Sequence, residues 1–130
     1  MKTLISAGLF SALLLGCVDQ AGPTNVQPSI NVVAQDGKKV TFETYAVDVT
    51  ITHPRRFEED RVRVDILNPK GHVFKTQTLP LPADGKVVVK LPVRGGYIED
   101  HHMEGLWSAE AYYNNARTAF AAIPFEVEAR

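Results

Sequence analysis

Cysteine is nearly absent from this chain: Cys17 is the only one. A single thiol excludes an internal disulfide, so stability has to come from a packed core. Serine is also scarce once the first residues are set aside. Ser29 and Ser108 are the two that follow Cys17, and neither sits in a Gly-x-Ser-x-Gly elbow, the turn that exposes a nucleophilic hydroxyl. Nothing sets up a threonine or lysine nucleophile in their place. Charge of either sign is not in excess. The formal net charge is −1, which argues against a nucleic-acid surface or a polybasic membrane surface as partner. No apolar run is long enough to span a bilayer. The longest, Leu4 to Leu15, falls short of the roughly 20 residues a crossing helix needs. These absences point away from catalysis and toward a small domain that binds.

The first seventeen residues carry the most specific signal. Met1-Lys2 gives a basic start, Leu4 to Leu15 an apolar middle, and Gly16 a small residue before Cys17. That order is the layout of a secretory signal peptide. The tetrad Leu14-Leu15-Gly16-Cys17 resembles the signal of bacterial lipoproteins. The resemblance implies that residues 1–16 are removed and that Cys17 becomes an acylated first residue carrying a diacylglycerol thioether. It also removes an anomaly, since a lone unpaired thiol on an exported chain invites intermolecular pairing. Each buried CH₂ contributes about 0.8 kcal/mol, and one acyl chain alone holds only marginally. The modification supplies at least two chains, which implies stable membrane attachment. In such lipoproteins an Asp directly after the cysteine commonly signals inner-membrane retention. Here that position is Val18, with Asp19 one place later, so the resemblance implies the outer membrane, the inner membrane being the alternative. No cofactor is expected beyond the covalent diacylglycerol and acyl lipid. Loss of Lys2 with the signal leaves a net charge of about −2.

Residues 17–29 read as the acylated start and a tether. Val18 to Ser29 is polar and punctuated by Gly22, Pro23 and Pro28, without helical or strand period. Twelve such residues reach about 40 Å when extended, enough to lift a domain clear of the headgroups. Residues 30–130 then form one domain with a β pattern. Ile30 to Ala34 predicts a short strand, and Gln35-Asp36-Gly37 a turn. Val40, Phe42 and Thr44 share one parity and Val47, Val49 and Ile51 the other. A flip near Tyr45-Ala46 predicts a bulge or a strand crossing between sheets. Val62, Val64 and Ile66 alternate with Arg61, Arg63 and Asp65, and Asn68-Pro69-Lys70-Gly71 predicts a turn leading into a hairpin partner at Val73 to Leu79. Pro82-Ala83-Asp84-Gly85 precedes a strand with Val87, Val89 and Leu91. A long loop spans Pro92 to Glu104. Leu106 to Tyr113 places Trp107, Ala109, Ala111 and Tyr113 on one face. Asn114-Asn115 predicts a turn. Thr118 to Val127 closes the chain, with Pro124 predicting an edge strand or a bulge. Seven or eight strands at this spacing predict an all-β, two-sheet sandwich.

Val62 to Val127 is similar to the later strands of immunoglobulin-like and fibronectin-type domains. The similarity rests on the Asn68-Pro69-Lys70-Gly71 hairpin, on Gly105-Leu106-Trp107 and on Pro124-Phe125-Glu126-Val127. It implies an indole in the sandwich core sealed by the final Phe-x-Val, and a binding, adhesion or spacer role. The antibody-type cysteine pair is absent.

Two groups of side chains are candidates for function. Tyr97, His101 and His102 lie in the Pro92 to Glu104 loop, and Tyr112 falls on the polar face beside Glu110. Exposed tyrosines are favoured contact residues, so these four predict a surface for a protein partner in the bacterial envelope. The alternative is a metal site using His53, His101 and His102, since imidazoles near carboxylates bind zinc or copper. Against it, adjacent histidines diverge on an extended chain, and no Cys or spaced His-x-His completes a ligand set. The mixed-sign run Arg55, Arg56, Glu58, Glu59, Asp60 and Arg61 predicts a solvated connection, or a surface that steers a charged partner.

Overall fold

A computed structural model describes residues 26–130. Cys17, the expected signal segment and most of the expected tether lie outside the described residues. Among the described residues seven strands form two antiparallel sheets: β1 (Ser29–Ala34), β2 (Ala46–Thr52), β3 (Arg61–Leu67), β4 (Val73–Pro80), β5 (Lys86–Pro92), β6 (Gly105–Tyr113) and β7 (Ala121–Val127), with one helical turn, α1 (Tyr97–Asp100), before β6. One sheet has the order β1-β2-β5 and the other β4-β3-β6-β7. First, second and fifth strands therefore face third, sixth and seventh, which is the immunoglobulin-like sandwich. The fourth strand pairs with β3 rather than β5.

Alternation builds the core. Val62, Val64 and Ile66 of β3 and Trp107, Ala109 and Ala111 of β6 point inward from one sheet, and Val47, Val49, Ile51, Val87, Val89 and Leu91 from the other. Each fully buried aliphatic side chain contributes about 1.5–3 kcal/mol, so the core carries the stability that a disulfide would otherwise supply. Pro124 lies on β7, an outer strand of its sheet, where a missing N–H costs no ladder bond on the solvent side. At the opposite margin Lys75 of β4 reaches across and donates to the Lys90 carbonyl of β5 at 3.0 Å, clasping the two sheets together.

The segment before β2 departs from a simple strand. Val40, Phe42 and Thr44 are buried and their neighbours are not, as their parity predicts. Yet the backbone makes one parallel bridge, Thr41 to Glu128, instead of a ladder. The Phe42 N–H donates to the Glu128 carbonyl and the Glu128 N–H to the Val40 carbonyl, both at 3.0 Å. The chain therefore crosses from β1 toward the far end of β7 and returns. The flip falls at Ala46 and Val47, which are both buried. The closing strand begins at Ala121, three residues later than Thr118, because residues 114–120 are occupied by the turn. The first strand begins at Ser29, inside the expected tether.

Strand directions give the sandwich two distinct ends. Ser29 pairs with Thr52, and Lys86 with Thr52. The chain thus enters beside His53, Gly85 and the 53–60 connection. The Asn68–His72 turn, α1 and the start of β6 lie at the other end. Gly85 marks the entering end tightly: its φ is +75°, and a Cβ there would lie 2.5 Å from the His53 carbonyl oxygen and 3.2 Å from Val26. Gly85→Ala is expected to lower stability by about 1–3 kcal/mol. Gly37→Ala, at φ +74° with nothing within 4 Å, carries the backbone strain without the overlap and is expected to cost less. Urea denaturation of the two variants side by side checks this.

Candidate functional site

The far end is built from two loops that meet over the core. The first is the turn joining β3 and β4. Asn68 Oδ1 accepts the Lys70 N–H at 3.0 Å and the His72 N–H at 3.1 Å, and the Gly71 N–H donates to the Asn68 carbonyl at 2.8 Å. Asn is suited to this because its short side chain substitutes for a backbone acceptor. Pro69 of this turn rests on β6, and a Cβ on Gly105 would come within 2.9 Å of its ring. The second loop leads from β5 through α1 to β6. The Val93 and Arg94 N–H groups donate to the Tyr45 and Thr44 carbonyls, and Glu99 Oε1 accepts the Gly95 N–H at 2.6 Å. Ile98 is fully buried and pins α1 to the core. The indole N–H of buried Trp107 donates to the Met103 carbonyl at 2.9 Å, holding the returning limb of the loop.

Between the two loops runs a groove of about 490 Å³ lined by Asn68, Pro69, Lys70, His72, Tyr97, His101, His102, Met103 and Glu104. That volume lies in the range of ligand-sized clefts. Tyr97 is 57% exposed. Its ring stacks on His101 at 3.7 Å between centroids and 14° between planes, and leans on Phe74 at 5.6 Å. Phe74 in turn meets Trp107 edge-on at 5.1 Å. A continuous aromatic column therefore runs from the core to the exposed rim. His102, at φ +51°, sits 6.3 Å from Phe42.

Three of the four contact candidates, Tyr97, His101 and His102, line this groove together. Tyr112 does not join them. It pairs with Arg63, near the entering end and on the outer face of the four-stranded sheet. The Arg63 guanidinium lies 4.2 Å above its ring, and its hydroxyl donates to Glu110 Oε1 at 2.9 Å. That hydrogen bond, with burial and the nearby carboxylates, raises the phenol above its ordinary value. Tyr112 is therefore held within the sheet's own side-chain network.

The set His53, His101 and His102 is not brought together either. His53 is buried at the entering end, stacked on Tyr113 at 4.1 Å and edge-on to Phe120 at 4.5 Å. Its Nδ1 lies 2.8 Å from the Pro54 carbonyl. Among the described residues no group of three or more His, Cys, Asp or Glu side chains is placed to hold a metal ion.

The mixed-sign run needs a correction at one residue. Asp60 is 2% exposed, not solvated. Its Oδ2 accepts the Arg56 N–H at 2.9 Å, the Phe57 N–H at 3.1 Å and the Tyr113 hydroxyl, while Oδ1 accepts the Asn114 amide at 3.1 Å. Burial by itself would raise this carboxyl, but these four donors outweigh it and hold it well below the usual carboxylate range. The cluster locks the 53–60 connection to the end of β6 and is structural. His72 and Lys70 of the groove were not singled out in the sequence. The only signal for them was topological, since in a sandwich the β3–β4 turn and the β5–β6 loop share one end.

Comparison with protein-family models and with curated proteins found no match for the chain.

Proposed function

We propose that this chain is a lipid-anchored bacterial envelope protein whose sandwich acts as a non-enzymatic protein-binding or accessory module of an envelope complex. The outer membrane is the expected location. One observation carries the reading: the chain enters the sandwich at the end opposite the exposed groove. A lipid on Cys17 would hold the entering end toward the membrane. Strands of six to nine residues then put the groove roughly 20–30 Å further out, beyond the tether's own reach. An anchored protein whose exposed aromatic and histidine rim points away from its membrane is arranged to meet something in the space beyond. Tyrosine is also among the residues that dominate protein contacts.

The test is a comparison of the native chain with Cys17→Ala. The native chain is expected in the membrane pellet and to bring a reproducible partner from detergent-solubilised envelopes. Cys17→Ala is expected to leave the pellet, since two acyl chains account for the attachment. An unchanged distribution between pellet and supernatant counts against the anchor, and equal recovery of partners with both chains counts against a role that depends on it.

A further inference from the structure

The outer edge of β5 is closed at both ends and open in the middle. Opposed residues of an antiparallel pair alternate between hydrogen-bonded and non-bonded. The His53 N–H donates to the Gly85 carbonyl at 2.9 Å, and the Val93 N–H to the Tyr45 carbonyl at 3.1 Å. Between those bonds Thr52 faces Lys86, Thr50 faces Val88 and Asp48 faces Lys90. The alternation therefore ties Val87, Val89 and Leu91 to β2 and turns the backbone groups of Lys86, Val88 and Lys90 outward. The Lys90 carbonyl, turned that way, accepts the Lys75 ammonium at 3.0 Å. The Lys86 N–H donates to Asp84 Oδ1 at 3.1 Å. Between these two stops the Lys86 carbonyl, both Val88 groups and the Lys90 N–H have no partner among the described residues. The other edges are built differently. β7 carries Pro124, which has no N–H, and Glu128 just past its end is tied to Val40 and Phe42. β1 packs beside β7, and its Ala34 carbonyl accepts the Gly37 N–H at 2.8 Å. β4 has an irregular pairing at Ile66 and Leu67, and its Thr76 and Thr78 bring no charge.

We propose that β5 accepts an extended strand of a protein partner, antiparallel to it, in which an apolar residue stands between two acidic ones at two-residue spacing. The inference rests on the envelope-module reading above and names the docking strand and the partner's chemistry. Strand addition draws its affinity from backbone hydrogen bonds and its specificity from alternate side chains. Here the backbone offers two bonds at Val88 and one each at Lys86 and Lys90. The side chains of those three residues stand on the outer face, since Val87, Val89 and Leu91 fill the core. Val88 is 48% exposed, between two exposed lysines. An apolar residue opposite Val88 and carboxylates opposite Lys86 and Lys90 are the favourable cross-strand pairs. Lys90 also meets Asp48 at 3.3 Å, but that pair is exposed and contributes little, and an ammonium has three donors to share. A second copy of this chain is a poor occupant. Pairing β5 with itself about Val88 sets Lys86 opposite Lys90 twice, and like charges directly opposite destabilise a sheet.

The test uses the full native chain solubilised in detergent, with binding read by anisotropy. Its probe is a short fluorescent peptide centred on Glu-Thr-Val-Thr-Glu. The controls are the analogue with lysine for glutamate and the acidic peptide N-methylated at its central valine. The acidic peptide is expected to bind roughly tenfold more tightly than the lysine analogue. N-methylation, which removes the donor to the Val88 carbonyl, is expected to weaken it by a similar factor. Val88→Pro is expected to keep the fold, because β2 does not use the Val88 N–H, and to lose the peptide. Lys86→Glu, a surface exchange, is expected to weaken the acidic peptide and strengthen the lysine analogue. No saturable binding of the acidic peptide, equal affinity for both peptides, or indifference to N-methylation overturns the proposal. A second arm places a photo-crosslinking phenylalanine analogue at Val88, Thr78 or Tyr97 in intact cells. The expected adduct forms from Val88 and maps to a segment with Asp or Glu on both sides of an apolar residue. Adducts from Thr78 or Tyr97 alone, or one from Val88 mapping to a basic or uncharged segment, overturn the β5 proposal but leave the envelope-module reading standing. No adduct from any of the three positions removes both.

Discussion

Asp60→Asn is expected to lower the folding stability of the domain by about 2–4 kcal/mol, because it breaks charge-assisted hydrogen bonds inside a buried cluster. The geometry explains why so small a change is costly. Both carboxylate oxygens accept, Oδ2 from the Arg56 and Phe57 N–H groups and the Tyr113 hydroxyl, Oδ1 from the Asn114 amide. An asparagine offers one acceptor and one donor, so one side of the cluster meets donor against donor. Asn114 cannot turn its amide to relieve this, since its own Oδ1 already accepts the Arg61 N–H at 2.9 Å. Tyr113→Phe removes one donor and leaves the carboxylate with three, so it is expected to cost about 1–2 kcal/mol. The cluster also sets an acid limb. The carboxyl is held below its ordinary value of 3.8, so below that value the unfolded chain binds the proton more readily than the folded one. The stabilisation is therefore complete above about pH 4–5 and is lost as pH falls further. Urea denaturation between about pH 3 and pH 7 should show the native chain losing stability toward the acid side, with a flatter slope for Asp60→Asn.

Trp107→Ala is expected to cost about 3–5 kcal/mol, the range for deleting a large aromatic from a core. Trp107 is fully buried, meets Phe74 edge-on at 5.1 Å and stacks near Phe125 at 6.4 Å. Its truncation opens a cavity between the sheets. It also leaves the Met103 carbonyl without the indole donor that holds it at 2.9 Å. The consequence reaches the groove, because Phe74 is the link between Trp107 and Tyr97. Trp107→Phe keeps most of the volume and loses the hydrogen bond, and should cost about 1–2 kcal/mol. Denaturant midpoints with unchanged slopes across the three chains would place the loss in the folded core. A cost for Trp107→Ala below about 1 kcal/mol would show that the indole is not the keystone of this end of the sandwich.

Strand positions were legible wherever burial follows a two-residue period. Val62, Val64 and Ile66 announce β3, and Trp107, Ala109 and Ala111 announce β6, because each residue's face is set by its parity alone. The turn at Asn68 to Gly71 and the edge position of Pro124 were legible for a similar reason: a side-chain carbonyl, a positive φ and a missing N–H are local properties. What stayed hidden depends on contacts far apart in the chain. Asp60 looked like one charge among six until the fold set Tyr113 and Asn114 against it. Val40 to Thr44 had the alternation of a strand, yet its hydrogen-bonding partner is Glu128 at the opposite end of the sequence. Of the contact candidates, Tyr97, His101 and His102 share one loop and were found together. His72 and Lys70 complete the groove from a turn about thirty residues away, and only the antiparallel course of the strands brings the two loops to one end.

In the proposed arrangement a lipid on Cys17 holds this sandwich by its entering end, leaving the Tyr97 groove outermost. Mass spectrometry of the native amino-terminal peptide, taken from the membrane fraction, tests it most directly. The expected chain begins at Cys17 and carries a diacylglycerol thioether with a further acyl group. A chain that begins elsewhere, or that retains Cys17 as a free thiol, would contradict it.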